Sequence, residues 1–287
     1  MSSIFDRLTA AMPAYKDPLN EIDWRKADQD RPWLPESMIS ISGLPVWKAL
    51  DRSQKLRVSQ IEFARLCAAG LWLEGMMIHR VTHKGFVAAD TTKTHIILQE
   101  VREECGHGLM FMRMIDRAGM SGQHLLGPTG LLTAAAKSLD SDRAGFWAMV
   151  YLGESITDTF AIKALRAASD DPICPLARDV MEWHHNDEAR HIAAARALLS
   201  DKIDEMSAMD RLAFRLITKF LLKRFLSATL FPSLKSLEAI QIPNARDVWR
   251  QVLGDANRRL LANACAEPAM ALISQKFAGR RPSTVES

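Results

Sequence analysis

The side chains best suited to chemistry lie in the stretch Met181-Glu-Trp-His-His-Asn-Asp-Glu-Ala-Arg-His191. His184, Glu188 and His191 are spaced four and then three apart. On an α-helix they share an arc of roughly 60°. Two imidazoles and a carboxylate on one arc are a natural set for holding a metal ion. His185 points ~100° away and reads as an exposed or supporting histidine. A related stretch, Glu103-Glu104-Cys105-Gly106-His107, again puts Glu and His three apart.

Four long helical segments must position these groups. Apolar periodicity predicts helices over 56–83, 92–118, 142–169 and 176–199, separated by Gly119, Gly127-Pro128 and Asp170-Asp171-Pro172. Each carries acidic groups inside an apolar run: Glu74, then Glu104 with His107, then Glu154, then Glu188 with His184 and His191. A buried ionised carboxylate is costly unless it is paired or bound to a cation. The order Glu, Glu-x-x-His, Glu, Glu-x-x-His is the ligand set of ferritin-like di-iron carboxylate bundles. Carboxylates and imidazoles suit iron or manganese, and zinc nearly as well. Short motifs of this kind recur by chance; the ordered conjunction across four helices carries the argument.

The rest of the chain sets bounds. Its 287 residues are 48% hydrophobic with a net charge of +3, ample for a core and too little charge for a nucleic-acid surface. Four scattered cysteines without a CxxC pair point to reduced thiols and a cytoplasmic protein. No secretory signal is expected at the N-terminus. The apolar segment 212–231 contains Arg215, Lys219, Lys223 and Arg224, so it reads as an amphipathic helix and not a membrane span. On it, Phe214, Ile217, Leu221 and Phe225 form an apolar stripe beside the basic stripe that begins at Arg211. Residues 1–36 read as an arm packed on the body, and 37–44 as a weak alternation that could pair locally. A last helix is expected over 248–277, interrupted or bent near Pro268. No GxGxxG or βαβ pattern is present. One all-α domain, residues 1–287 with a core bundle at about 53–231, accounts for these features.

With these residues in view, the chain resembles the p-aminobenzoate N-oxygenase (AurF-like) family of ferritin-like di-iron oxygenases. The resemblance covers roughly residues 30–232. It rests on Trp33-Leu-Pro35, Trp72-Leu-Glu74, the run from Glu104 to Ile115, Asp187-Glu188-Ala-Arg190-His191, and the additional histidine His184. It implies seven metal ligands: Glu74, Glu104, His107, Glu154, His184, Glu188 and His191. It also implies that Glu103 and Asp187 accept hydrogen bonds from the histidines of the opposite motif, with Arg190 in support. Gly106 departs from the family pattern, which would have Arg there. Tyr151 and Asp158 flank Glu154 and are further supporting candidates. Leu71, Met77, Phe111, Ile156 and Phe160 stand near ligand turns and are candidates to line a pocket.

The activity implied is oxidation of an amine nitrogen with O₂, carrying an arylamine to hydroxylamine, nitroso or nitro. The implied cofactor is two iron ions, with manganese as an alternative. The alternatives within the same site are a di-iron hydroxylase or desaturase acting on carbon, or a ferroxidase-type iron-handling protein. A radical-generating reductase subunit is disfavoured, because Phe111 stands where that family has tyrosine. The expected partners are a small-molecule amine and a separate electron donor, with no nucleic acid and no membrane; the resemblance implies a homodimer. Arg258 and Arg259 remain open as anchors for a substrate carboxylate.

Overall fold

The computed structural model describes residues 7, 9–10, 13–83, 91–126 and 130–278. Helices dominate, and no strand occurs among the described residues. Two short helices, α1 (Pro18–Glu21) and α2 (Pro45–Ala49), belong to the N-terminal arm. The body is built from α3 (Arg52–His83), α4 (Thr91–Arg117), α5 (Gly130–Ser138), α6 (Ala144–Ala167) and α7 (Pro175–Asp204). It continues through α8 (Ala208–Leu230), α9 (Leu234–Ala239), α10 (Ala245–Gly254) and α11 (Ala256–Ala278).

The helix ends follow local chemistry. Gly119 closes α4 with φ +63°, and Met120 N–H donates to the Ile115 carbonyl at 3.1 Å. That left-handed residue and back-reaching bond form a Schellman stop. Pro175 occupies the first position of α7, where its missing N–H costs nothing. Ser207 caps α8, its hydroxyl accepting from Asp210 N–H at 3.2 Å.

The closest helix pairings are α3 with α4 and α6 with α7. Each pair carries one lone Glu and one Glu-x-x-His, so packing one pair on the other brings all four helices to a shared interior. Gly153 permits this contact: a Cβ there would fall 2.3 Å from Leu73 Cδ2. The two residues immediately precede Glu74 and Glu154 in the sequence. α11 and α8 cover the outer side of α6.

Two expectations from the sequence change. Residues 37–44 form the end of a 3₁₀ helix at Glu36–Met38 and the turns after it, and not a strand pairing. Their apolar residues Met38, Ile39 and Ile41 pack into the core, while Ser40 N–H and Oγ donate to the buried Glu62 carboxylate. The C-terminal helix breaks at Asp255, not Pro268. Asp255 ends α10 and its carboxylate accepts from Arg258 N–H at 2.6 Å, starting α11. Pro268 sits on the exposed side of α11, where solvent can take up the carbonyl it frees. On α8, Phe214, Leu221 and Phe225 are buried, whereas Ile217 joins Leu212 and Leu216 on the exposed face.

The arm docks on α3: Ser59 Oγ accepts from Trp33 N–H at 2.7 Å and Leu34 N–H at 2.9 Å. Two buried arginines close the C-terminus of α8. Arg258 donates to the carbonyls of Leu230 (2.6 Å) and Met38 (2.8 Å). Arg65 donates to those of Leu125, Ala228 and Phe231. Guanidinium groups neutralise the carbonyl end of a helix dipole. Arg259 is exposed and donates to the Leu253 carbonyl at the end of α10. Both Arg258 and Arg259 are therefore structural clasps. Arg258→Ala strands two carbonyls and is expected to cost about 2–4 kcal/mol in chemical denaturation. The metal content of the folded variant should match the parent.

Candidate metal centre

Glu74 comes from α3, Glu104 and His107 from α4, Glu154 from α6, and His184, Glu188 and His191 from α7. All seven are buried. Their inward atoms fall into three overlapping groups: Glu104, His107, Glu188 and His191; Glu74, His107 and His184; and Glu154, His184 and Glu188. Within each group the ligand-type atoms lie within 4.8 Å of one another. His107, His184 and Glu188 are each shared by two groups, so the three merge into one cluster.

The inward atoms have little else to bind. Glu74 Oε1 and Oε2, Glu104 Oε1, Glu154 Oε1, both Glu188 oxygens, His184 Nε2 and His191 Nδ1 are buried without a hydrogen-bond partner. Several approach closely: His184 Nε2 lies 2.9 Å from Glu188 Oε1, and His191 Nδ1 lies 2.9 Å from Glu104 Oε1. Those contacts lack hydrogen-bond alignment, because the lone pairs aim at a common interior. Buried polar atoms are nearly always satisfied, and a set of oxygen and imidazole nitrogen atoms in this arrangement fits divalent metal ions.

Protons can also balance this charge. Burial would lower His107, but bonds to Asp187 and Glu104 lift it to about 9. Burial likewise opposes charging of His184, yet Glu188 and Glu74 raise it to about 10. His191 is raised well above its ordinary value against its burial, by Glu100, Glu104 and Glu188. Burial and the neighbouring carboxylates push Glu154 well up, and burial takes Glu74 to about 7. Glu104 is held at about 2 despite its burial, by His191 and His107.

The outward edges of two histidines are held across the helix pairs. His107 Nε2 lies 3.2 Å from Asp187 Oδ2 on α7, and His191 Nε2 lies 2.9 Å from Glu103 Oε2 on α4. Arg190 joins the two acceptors, reaching Glu103 at 2.9 Å and Asp187 at 3.0 Å. Carboxylates in this position fix which ring nitrogen faces the interior. Asp158 instead pairs with His185 at 2.5 Å, and that histidine is half-exposed. Tyr151 is buried, and no hydrogen bond links it to the cluster among the described residues. The space an Arg would need at Gly106 is taken by the arm: a Cβ there would meet the Tyr15 hydroxyl at 2.8 Å and Pro18 at 3.1 Å.

Two small cavities abut the cluster. One touches Glu104 and His191 and is lined in part by Met77; the other touches His184 and is lined in part by Phe111 and Phe160. Leu71 and Ile156 line neither. Leu71 packs toward Gly108, and Ile156 is wholly buried in the bundle, turned ~200° from Glu154 along the helix. Sequence reasoning missed Glu100, which is buried in the first cavity 3.8 Å from His191 Nε2 and is pushed to about 7 by its burial. Its place one turn before Glu104 was the available signal. If Glu103 orients His191, Glu103→Ala should weaken metal binding by roughly 10–100-fold, as measured by competition with a chromophoric chelator.

An uncharacterized protein of Mycobacterium tuberculosis is 24% identical over 266 residues, covering 88% of this chain and 76% of its own. An uncharacterized protein of Mycobacterium bovis matches to the same extent. The model of the family described as p-aminobenzoate N-oxygenase AurF matches residues 6–276. With nearly its whole length matched, this chain belongs to the p-aminobenzoate N-oxygenase AurF family.

Proposed function

We propose that the protein is a non-haem di-iron oxygenase that uses O₂ to oxidise an amine nitrogen. The observation that carries this reading is the set of inward-facing carboxylate and imidazole atoms without hydrogen-bond partners, in a chain of the N-oxygenase family. In this reading Glu74, Glu104, His107, Glu154, His184, Glu188 and His191 hold two metal ions. When bound, such a pair supplies the electrons and Lewis acidity needed to activate O₂.

The chain's own residues do the rest. Asp187 and Glu103 keep the Nδ1 atoms of His107 and His191 turned inward, and Arg190 holds the two carboxylates in register. The apolar side chains around the cluster exclude bulk water, which strengthens every charge interaction inside. Converting an amine to a hydroxylamine places one oxygen atom on nitrogen and releases the other as water. That balance needs two electrons and two protons, which a separate electron-donor protein and solvent provide.

The test is turnover of the iron-loaded protein with a chemical reductant, isotopically labelled O₂ and a panel of arylamines. Label on nitrogen supports the proposal; label on ring carbon, or oxygen uptake that merely deposits iron, contradicts it. Metal uptake itself should release protons, because ligation requires neutral imidazole and ionised carboxylate. His107 and His184 have pKa values raised to about 9 and about 10, so at neutral pH they hold protons that the metal must displace. Apparent affinity is expected to rise with pH from 6 toward 9, a range below the values of about 9 and 10 at His107 and His184. Calorimetry in buffers of different ionisation heat reads the proton release directly. In Glu188→Ala, metal binding should be lost.

A further inference from the structure

The outer side of α8 carries two patterns that the metal centre does not use. Met209, Leu212, Leu216 and Phe220 are exposed, the first three by 84%, 62% and 63%. Their spacing of three and four places them on one arc of roughly 80°. The same helix carries Arg211, Arg215, Lys219, Lys223 and Arg224 against the single carboxylate of Asp210. Five cations and one anion give it a net charge of +4, whereas the whole chain has +3. Arg215 and Lys219 flank the apolar arc on one side and Arg224 on the other, and Lys223 falls within it. Among the described residues no carboxylate pairs with these four cations. The opposite side of α8 is committed to the bundle, with Phe214, Thr218, Leu221 and Phe225 buried.

A cleft at the C-terminal end of this face has the same chemistry. Its volume is about 860 Å³, and Arg224 and Ser227 of α8 form part of its wall. Exposed Lys235 and His124 stand beside half-buried Leu234 and Trp249, and no acidic side chain is among the described lining residues. The space is within the range that takes small organic ligands, and its walls suit an acyl chain below an anionic headgroup.

The charge pattern selects the occupant. A twofold contact with a second copy would bring cations on either side of the apolar row against their like, which is unfavourable in a desolvated interface. Lysine is depleted from the cores of protein–protein interfaces, yet Lys223 stands in line with the apolar row. At a bilayer surface that placement is favourable: the alkyl stem lies along apolar side chains while the ammonium reaches the headgroups. No helix among the described residues is long and apolar enough to cross a membrane, so the contact is with the surface.

We propose that the outer face of α8 seats the protein on an anionic lipid bilayer. Leu212, Leu216 and Phe220 enter at the level of the upper acyl chains, and Arg215, Lys219, Lys223 and Arg224 meet the headgroup phosphates. The proposal departs from the expectation of no membrane partner, because the structure leaves this apolar row uncovered beside unpaired cations.

The test is co-sedimentation of the full-length, metal-loaded protein with vesicles of phosphatidylcholine alone and with vesicles one-third phosphatidylglycerol. Binding should require phosphatidylglycerol and weaken as salt is added. Lys219→Gln/Lys223→Gln should weaken it by about fivefold for each cation lost. Leu212→Ser/Leu216→Ser, which keeps every charge, should weaken it by at least about tenfold. Lys16→Gln/Lys48→Gln removes the same charge from exposed sites elsewhere and should bind as the parent does. All of these positions are exposed, so the variants should keep the parent's metal content. Absence of binding to either vesicle overturns the proposal. So does equal loss in the control pair, or a leucine variant that binds as well as the parent. A dimer in solution that the leucine variant converts to monomer assigns the face to a second copy and also overturns it. Retention on an immobilised acidic ferredoxin without binding to vesicles assigns the face to a protein and overturns it likewise.

Discussion

Four carboxylates and three imidazoles converge in the interior of α3, α4, α6 and α7, and their mutual electrostatics constrain the rest of the molecule. Charges of one sign cannot share a dry interior unless something of the other sign joins them. Without metal, protons on His107 and His184 contribute to that balance. With metal, the ions take over that task, and the fold keeps the same side chains aimed at the same place. The bundle must therefore be rigid enough to hold seven groups that disfavour burial singly. The close approach at Gly153, the arm clasped by Ser59 and the capping of α8 by two arginines all serve that rigidity.

The two helix pairs contribute alike, yet the cluster is not symmetric. His184 is an additional imidazole on α7 alone, and it faces the aromatic cavity through Phe111. On the other side, Glu100 brings a fifth carboxylate near His191. Arg190 has no counterpart at Gly106, where the arm fills the space instead. One side of the cluster thus borders a cavity that holds the Glu100 carboxylate among mostly apolar side chains, and the other an apolar, aromatic one.

Much of this was legible in the sequence, for a physical reason. Metal-type ligands must share a helix face, so their spacing is fixed by 3.6 residues per turn; Glu104, His107, Glu188 and His191 could be read directly. Gly119 and Pro172 marked helix ends, because few other residues punctuate a helix so strongly. What could not be read were contacts between elements distant in sequence. Nothing local says that Phe111 rests on Gly70, that Arg258 reaches the Leu230 carbonyl, or that Tyr15 fills the gap at Gly106. The break at Asp255 was masked by the stronger nominal signal of Pro268, since a proline is tolerated on an exposed helix face. Leu71 and Ile156 show the limit of proximity in sequence: nearness to a ligand along the chain does not decide which way a side chain turns.

The central claim is that the seven side chains form one site for two metal ions. Anomalous X-ray diffraction on crystals of the iron-loaded protein addresses it most directly. The account predicts two anomalous peaks enclosed by Glu74, Glu104, His107, Glu154, His184, Glu188 and His191. A correctly folded crystal with one peak or none among those residues, or with iron bound elsewhere, would contradict it.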